Sequence, residues 1–377
     1  MADVANAARD IAGALASLGH AVETLAIPPG PAHASVARVV GALAARPPDV
    51  VFNLCESLAG DTRHEPVLPA LLDLAGLRYT GSPAAALALA LAKDLTKRVL
   101  VGAGVPTPEA VAIAPGRDPA PAAALLPAIV KPAREDASNG ISHRSVVQSR
   151  AQLAAQVAEI HARFGQPALV ERFIDGREVY VSLVGHPPVA LPMHEIDFAL
   201  PAGRPRIVTY AGKWDKRSAD YRGTTPTRAV LDERVRARCE SAARAAFEAL
   251  GLRDYARIDL RIDAAGNPFV IDVNPNCDLS RGAGVARAAS YGGLSYADLI
   301  ARVCEAALAR AHESEPHVDR AASRSAAPSR PSRSAADPAA PPGGSRRARG
   351  ARRDGRSVHG GGGVGRARAD RRRRPRS

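Results

Sequence analysis

Two aspartates lie in a segment that has the pattern of a β-hairpin. Residues 257–276 read RIDLRIDAAGNPFVIDVNPN, in which two runs of β-forming residues flank the turn residues AAGN. If 264–267 form the loop, counting back in steps of two places Asp259 directly opposite Asp272. The same count predicts three further pairs: Asp263 with Pro268, Arg261 with Val270, and Arg257 with Asn274.

The two aspartates are expected to share one face of the hairpin with Arg257 and Asn274, because side chains alternate along a strand. Carboxylates directly opposite each other lie roughly 5 Å apart at Cβ and repel each other. A divalent cation between them is one solution, and Mg²⁺ suits it because it prefers oxygen ligands and leaves room for water and phosphate oxygens. The alternative is an exposed face on which both acids are solvated or paired with Arg257 and Arg261.

Lysine is rare in this chain and marks candidate phosphate contacts. Of the 51 Lys and Arg residues, only five are lysine: Lys93, Lys97, Lys131, Lys213 and Lys216. A lysine presents a compact ammonium group that binds a phosphate oxygen as a point charge, without the planar fork of arginine. Positions that keep lysine against this bias are therefore expected to have a specific role.

A loop of small residues follows Lys131 in the stretch PAIVKPAREDASNGIS. Its Ser138, Asn139 and Gly140 can bring backbone N–H groups close to a phosphate. The alternative is a loop that only turns the chain.

Two glutamates flank a predicted turn in LVERFIDGREV. Glu171 precedes the turn at Asp175-Gly176, and Glu178 follows it. Backbone groups at such a turn can hydrogen-bond an adenine, and a carboxylate can hydrogen-bond a ribose. The alternative is an ordinary β-turn with surface acids.

Taken in order, these segments resemble the ATP-grasp enzymes, and among them the D-alanine–D-alanine ligases. The resemblance runs from about Val50 to Arg310. The segments that carry it are YTGS with ALAKDLTKRVLVGAGVPTP, IVKPAREDASNGIS, LVERFIDGREVYV, YAGKWD, and RIDLRIDAAGNPFVIDVNPN.

The resemblance implies a role for each matching residue. It places Lys93 and Lys131 on the ATP phosphates, with a flap of Ser138, Asn139 and Gly140 over them. It places Glu171 and the backbone of Arg172, Phe173 and Ile174 at the adenine, and Glu178 at the ribose. The metal ligands are Asp259, Asp272 and Asn274, which hold Mg²⁺ or, in its place, Mn²⁺. Lys213 lies on a mobile loop that closes over the γ-phosphate, and Arg257 steadies the intermediate.

The implied activity is an ATP-dependent carboxylate–amine ligase that works through an acylphosphate. D-Alanine–D-alanine ligase is the nearest named activity, and other amino acids or short peptides are the alternative substrates. A non-catalytic nucleotide-binding or polyanion-binding protein is the competing class. Members of the family are commonly dimers through the N-terminal domain, which favours a homodimer.

Three features depart from the family's pattern and concern the substrates. The chain starts after the position of the glycine-rich loop whose glutamate holds the first amino acid. The His-Gly…Gly-Glu-Asp-Gly stretch of the family is replaced by CESLAGDTRHEP. The loop after the metal-binding asparagine is replaced by PNCDLSRGAG, where Cys277 is either a reactive thiol or a small packing residue.

The predicted fold class is α/β, with an α+β ATP-grasp body. Residues 1–85 are expected to form a parallel α/β domain, because helices at 4–19, 33–46 and 65–75 alternate with strands in AVETLAI and DVVFNL. Its first element is a helix, so the domain is expected to lack its first strand. Residues 86–185 are predicted to form the central ATP-grasp lobe, and 186–310 the C-terminal lobe with the metal site.

The net charge of +13 belongs to the C-terminal end of the chain. Residues 311–377 contain 17 arginines and six acids, a net charge of +11, so the other 310 residues carry only +2. This tail is predicted to be disordered. It has no interleaved aromatic residues, so nonspecific contact with RNA or another polyanion is all that its charge predicts; an extension without function is the alternative.

The remaining features predict a cytoplasmic protein. The four cysteines have no metal-like spacing, which is typical of a reducing compartment. MADVANAARD has no signal-peptide pattern. The apolar run AAALALALA is too short to cross a membrane.

Overall fold

The first part of the chain is helical. The computed structural model describes residues 2–28 and 30–310, and the predicted basic tail lies outside the described residues. The helices before the first strand are α1 (Ala2–Ser17), α2 (Ala32–Ala45), α3 (Val67–Leu74), α4 (Ala84–Leu91) and α5 (Lys93–Gly102). The helices predicted at 4–19, 33–46 and 65–75 are confirmed, with ends that differ by one or two residues.

The two strands predicted between these helices are largely absent from the described residues. The segment AVETLAI, 21–27, forms no strand, and its Val22 and Leu25 are exposed. In DVVFNL only Val51 makes a bridge, parallel to Tyr79. The predicted strand at 21–27 is therefore wrong, because β-forming residues become a strand only where a neighbouring backbone offers its N–H and C=O groups. The parallel direction predicted for this region is confirmed at the single bridge.

A small antiparallel sheet with one helix follows. Its elements are β1 (Ala110–Ile113), β2 (Ala128–Pro132), β3 (Val146–Val147), α6 (Arg150–Phe164) and β4 (Ala168–Arg172). The strand order is β1-β4-β2-β3. Helix α6 begins at Ser149, whose side chain accepts a hydrogen bond from the Gln152 N–H, and ends at Gly165 with φ of 62°. Its Leu153 and Val157 pack onto the sheet and form the core of this lobe.

The second sheet has six strands and forms the body of the protein. Its elements and their flanking helices are β5 (Arg177–Val184), β6 (Val189–Ala190), β7 (His194–Phe198), α7 (Tyr210–Trp214), α8 (Ala219–Arg222), β8 (Thr224–Arg228), α9 (Glu233–Ala249), β9 (Tyr255–Ile262), β10 (Pro268–Asn274), α10 (Gly284–Tyr291) and α11 (Tyr296–Ala309). The order is β10-β9-β5-β7-β8, with β6 beside β5, and all pairs are antiparallel. Within residues 2–28 and 30–310, no helix is long and apolar enough to cross a membrane.

The hairpin of β9 and β10 contains a bulge. The pairs Asp259–Asp272 and Arg257–Asn274 are as predicted. Nearer the turn the register differs by one residue, because Pro268 pairs with Ile262 and not Asp263, and Val270 pairs with Leu260 and not Arg261. The two registers meet at a bulge between Val270 and Asp272.

The bulge lets one strand serve both the core and a polar face. Val270 and Val273 are 0% and 4% exposed although they are three residues apart. Without the extra residue, Asp272 would point to the same side as Val270, into the apolar core. The bulge thus turns Asp272 onto the face of Asp259. The division of the chain into four parts at 85, 185 and 310 stays a prediction.

Replacing Leu153 with alanine tests the core of the small lobe. Leu153 is 1% exposed, so the variant leaves a cavity and we expect the free energy of unfolding to fall by about 2–5 kcal/mol. Leu74→Ala makes the same chemical change at a side chain that is 83% exposed, and there the loss is expected to stay within about 0.5 kcal/mol. Chemical denaturation measures both, and equal losses would contradict the packing described here.

Candidate active site

Three of the five lysines are buried around the hairpin. Lys93 and Lys97 lie one turn apart on α5, and Lys131 lies near the end of β2; each is 7% exposed. A buried ammonium group requires anionic or carbonyl partners. The hairpin supplies some of these partners.

Lys93 joins the hairpin to the loop after β2. Its Nζ lies 2.7 Å from Asp272 Oδ1 and 3.1 Å from Asp136 Oδ1. Burial alone would lower the pKa of Lys93, but these carboxylates hold it above its usual value. Burial alone would raise the pKa of Asp272, but Lys93 and Lys131 lower it. Both groups are therefore charged at neutral pH.

Asp259 is held by Arg257 on the same strand. The Arg257 Nε and Nη2 atoms lie 2.7 and 2.9 Å from the two carboxylate oxygens of Asp259. Asp259 is 7% exposed, so the interpretation of a solvated face is wrong, although the pairing with Arg257 is confirmed. Burial raises the pKa of Asp259 in spite of Arg257. Arg261, the other arginine considered for this face, instead pairs with Glu178 at 3.4 Å.

The predicted metal ligands form a donor set that suits Mg²⁺. Asp259 and Asp272 are directly opposite each other in the ladder. The Asn274 Nδ2 donates to Asp259 Oδ2 at 3.2 Å, which leaves Asn274 Oδ1 as an acceptor for a cation. Two carboxylates and an amide oxygen are ligands that Mg²⁺ prefers. In the part of the chain that the structure describes, no group of three or more His, Cys, Asp or Glu side chains could hold a metal ion, and the predicted set consists of two carboxylates and an amide.

The loop after β2 covers a cavity beside these groups. Ala137 and Ser138 have φ of 56° and 61°, and Gly140 has φ of 78°. A Cβ at Gly140 would lie 2.7 Å from Pro132 Cγ, so the position requires glycine. The cavity is lined by Lys93, Lys131, Pro132, Glu135, Asp136, Ala137, Ser138, Asn139, Ile141 and Asp272.

The loop that carries Lys213 contacts the loop after β2. Trp214 Nε1 donates to the Ala137 carbonyl at 3.0 Å, and the Tyr210 N–H donates to the Ile141 carbonyl at 3.0 Å. Asp220 accepts from Thr209 Oγ1 at 2.7 Å and pairs with His143 Nε2, also at 2.7 Å. The predicted flap and the predicted mobile loop therefore meet beside the cavity.

The two glutamates beside the turn are buried and engaged by protein groups. Glu171 is 1% exposed and lies between Lys131 and Lys97, at 2.9 and 3.3 Å. Glu178 is 6% exposed and accepts from Tyr180 Oη at 2.7 Å. They are not surface acids, so that alternative is wrong. Their roles at the adenine and ribose stay predictions.

The backbone between these glutamates is partly occupied. The Phe173 N–H donates to the Pro127 carbonyl at 2.9 Å, and the Ile174 carbonyl accepts from Arg261 Nη1 at 3.1 Å. The Arg172 guanidinium pairs with Glu109 at 2.6 Å. The Phe173 N–H already has a protein partner, and so has the Ile174 carbonyl, so an adenine bound here would use other backbone groups of 172–174.

Two segments that depart from the family's pattern contact each other. Asn276 Nδ2 donates to Glu65 Oε1 at 2.6 Å, and Asn276 Oδ1 accepts from Tyr255 Oη at 2.8 Å. Burial raises the pKa of Glu65 to about 7. Cys277 is 8% exposed and burial raises its pKa to about 12, which favours the packing interpretation over a reactive thiol.

Sequence reasoning missed His194, Asp136, Glu65 and the position of Lys97. His194 is 2% exposed, lies edge-on to Tyr180, and has its ring 3.0 Å from the place of a Cβ on Gly284. Burial and then Arg257 lower its pKa to about 3, so it is neutral. A lone histidine in a strand gives no signal in the sequence. For Lys97 the rarity of lysine was the available signal.

Comparison with known proteins finds relatives among the D-alanine–D-alanine ligases. The family model described as D-ala D-ala ligase C-terminus matches residues 118–305. The uncharacterized protein y4sG of Sinorhizobium fredii is 35% identical over 264 residues, which cover 70% of this chain and 76% of that protein. The D-alanine–D-alanine ligase of Chromohalobacter salexigens is 33% identical, with 70% and 79% covered.

The chain belongs to the D-alanine–D-alanine ligase family. The D-alanine–D-alanine ligase of Moorella thermoacetica is 30% identical over 79% of this chain and 92% of that ligase. The crystal structure of D-alanine–D-alanine ligase from Bacillus anthracis complexed with ATP has a TM-score of 0.57 at 19% identity, covering 72% of this chain and 83% of that one. The predicted ATP-grasp fold and the prediction of an ATP-dependent ligase of this family are confirmed.

Replacing Asp220 with alanine tests the contact between the two loops of this ligase-family chain. A hydrogen bond to a charged group contributes about 1.5–3 kcal/mol to the stability of the folded state. Loss of the Asp220 contacts with Thr209 and His143 is therefore expected to release the loop that carries Lys213. Trp214 is the only tryptophan in the chain and reports the change directly. We expect stronger acrylamide quenching of its fluorescence. Asp197→Ala, at an exposed acid on β7, is the control, and equal quenching in both variants would contradict the role of Asp220.

Proposed function

We propose that the chain joins a carboxylate to an amine at the expense of ATP, with D-alanine as the nearest candidate for both substrates. The observation that carries this proposal is that Asp272, which lies opposite Asp259 in the hairpin, lines one cavity together with two buried lysines, Lys93 and Lys131, under the loop after β2. Cations and carboxylate oxygens close together are the requirements of a nucleoside triphosphate with its metal.

The nucleotide site consists of residues on both lobes. Lys93 and Lys131 contact the phosphates, with Ser138, Asn139 and Gly140 above them. Glu171, the backbone of 172–174 and Glu178 surround the adenine and ribose. Asp259, Asp272 and Asn274 would hold Mg²⁺, which would neutralise charge on the phosphate oxygens.

The reaction proceeds in two displacements. A substrate carboxylate oxygen attacks the γ-phosphorus and ADP leaves, which gives an acylphosphate. The amine then attacks the acyl carbon, phosphate leaves, and the nitrogen loses a proton to give an amide. Arg257 and Lys213 stabilise the charge that develops on the transferred group. The contact of Trp214 with Ala137 closes the site against water, which would hydrolyse the acylphosphate.

A ligase for other amino acids or short peptides is the second candidate. The observation that favours it is the contact of Glu65 with Asn276, because both residues belong to segments that differ from the family's pattern beside the catalytic face. Homodimer formation and a cytoplasmic location stay predictions for either candidate.

The test is ADP release by the full-length chain with ATP and Mg²⁺. Three mixtures are compared: no amino acid, D-alanine, and a pool of L-amino acids. Stimulation by D-alanine supports the first candidate, and stimulation by the pool alone supports the second. No stimulation by any mixture, with intact ATP binding, would favour the non-catalytic nucleotide-binding class over both.

Replacing Asp272 with alanine removes one carboxylate from the metal-binding face. We expect Mg²⁺-dependent ADP release to fall by at least about 100-fold, because the charge stabilisation is lost. Asp197→Ala removes an exposed carboxylate from β7 of the same sheet and should leave the rate near that of the wild type. An unchanged rate in the Asp272 variant would place the metal site elsewhere.

Removing residues 311–377 is expected to leave ADP release nearly unaltered. All predicted site residues lie between Lys93 and Asn274, and the family model ends at residue 305. Steady-state kinetics of the truncated and full-length chains measure the difference. A large decrease in the truncated chain would mean that the tail takes part in the reaction.

A further inference from the structure

Lys97 is the one buried lysine of α5 and β2 that does not line the cavity. Its Nζ donates to Thr107 Oγ1 at 2.6 Å and to the Val270 carbonyl at 3.3 Å, and it forms an ion pair with Glu171 Oε2 at 3.3 Å. An ammonium group has three N–H donors, so these three partners occupy it fully. Lys97 therefore has no donor left for a nucleotide.

Lys131 differs from Lys97 in this respect. In the described part of the chain, its Nζ has one hydrogen bond, to the Ile271 carbonyl at 3.2 Å, and one ion pair, with Glu171 Oε1 at 2.9 Å. One donor remains, and Lys131 lines the cavity. The bulge in β10 places the two carbonyls of Val270 and Ile271 against the two lysines.

Glu171 connects the two ammonium groups, one at each carboxylate oxygen. The three side chains together carry one net positive charge, and all are at least nine-tenths buried. If Lys97 were neutral, the carboxylate would have Lys131 as its only cation, and the pair would carry no net charge. Lys131 would then be held more strongly by Glu171 and would attract a phosphate less.

We propose that Lys97 is a positioning residue that balances the charge of Glu171 and so leaves Lys131 available to the nucleotide phosphates. The inference rests on the proposed function for the identity of the ligand, ATP. It does not require Lys97 to touch the nucleotide. Its effect passes through Glu171 to Lys131.

A double-mutant cycle tests this proposal with ATP and Mg²⁺ as the probe. The dissociation constant is measured by calorimetry on the full-length chain for the wild type, Lys97→Met, Glu171→Gln and the double variant. We expect Lys97→Met to raise the dissociation constant about 10- to 100-fold, the size typical of losing such a supporting partner. In the Glu171→Gln background the same change should have almost no effect, because there is no carboxylate charge left to balance.

Equal effects of Lys97→Met in both backgrounds would overturn the proposal, because a direct contact or simple space filling by Lys97 does not depend on Glu171. Arg98→Met is the matched control. It removes a positive charge from the same helix at a side chain that is 73% exposed, and it should leave ATP binding unchanged.

The thermal unfolding midpoints of the four proteins give a second readout. Lys97→Met should lower the midpoint, and adding Glu171→Gln should restore it. If Lys97→Met does not fold and the double variant folds and binds ATP, the charge-balance argument holds. If neither folds, Lys97 is structural and the proposal fails. Absence of ATP binding by the wild type would refute the proposed function instead, while the midpoints still test the charge balance.

Discussion

The structure depends on charge balance around two opposed aspartates. Asp259 and Asp272 face each other across the hairpin, and their side chains are 10% and 30% exposed. The chain places one cation beside each of them, Arg257 at 2.7 Å and Lys93 at 2.7 Å. Lys93 lines the cavity and Arg257 lies on the same strand as Asp259. The cations that offset the charges of the two aspartates therefore also belong to the set proposed to contact the phosphates or to stabilise the transferred group.

Convergence of the site requires the small lobe, the large sheet and α5 to meet at one edge. Lys131 comes from β2, Glu171 from β4, Lys97 from α5, and two backbone carbonyls from β10. The bulge in β10 allows one strand to contribute to both the core and the site, because it keeps Val270 in the core and turns Asp272 to the polar side. A single inserted residue thus serves packing and chemistry together.

The residues proposed for phosphoryl transfer lie in segments that resemble the ligase family, whereas two segments on the proposed substrate side depart from its pattern. Glu65 and Asn276 belong to the two divergent segments and are hydrogen-bonded to each other at 2.6 Å. His194 adds a buried neutral imidazole next to Arg257, where it supplies polarity without charge. Under the proposed function, chemistry and substrate choice lie in separate sets of residues, and the family relationship concerns mainly the first.

Local pattern was enough to predict the helices, the hairpin and the pairing of Asp259 with Asp272, because alternation and turn residues act over a few positions. It also marked Lys93 and Lys131 as unusual. Tertiary structure alone decided the rest. The segment 21–27 has the composition of a strand but no partner backbone. The bulge in β10 keeps Val270 buried in the core. The position of Lys97 depends on its ion pair with Glu171, which is 74 residues away in sequence. Such contacts have no signature in any short stretch of residues, because each is set by elements that only folding brings together.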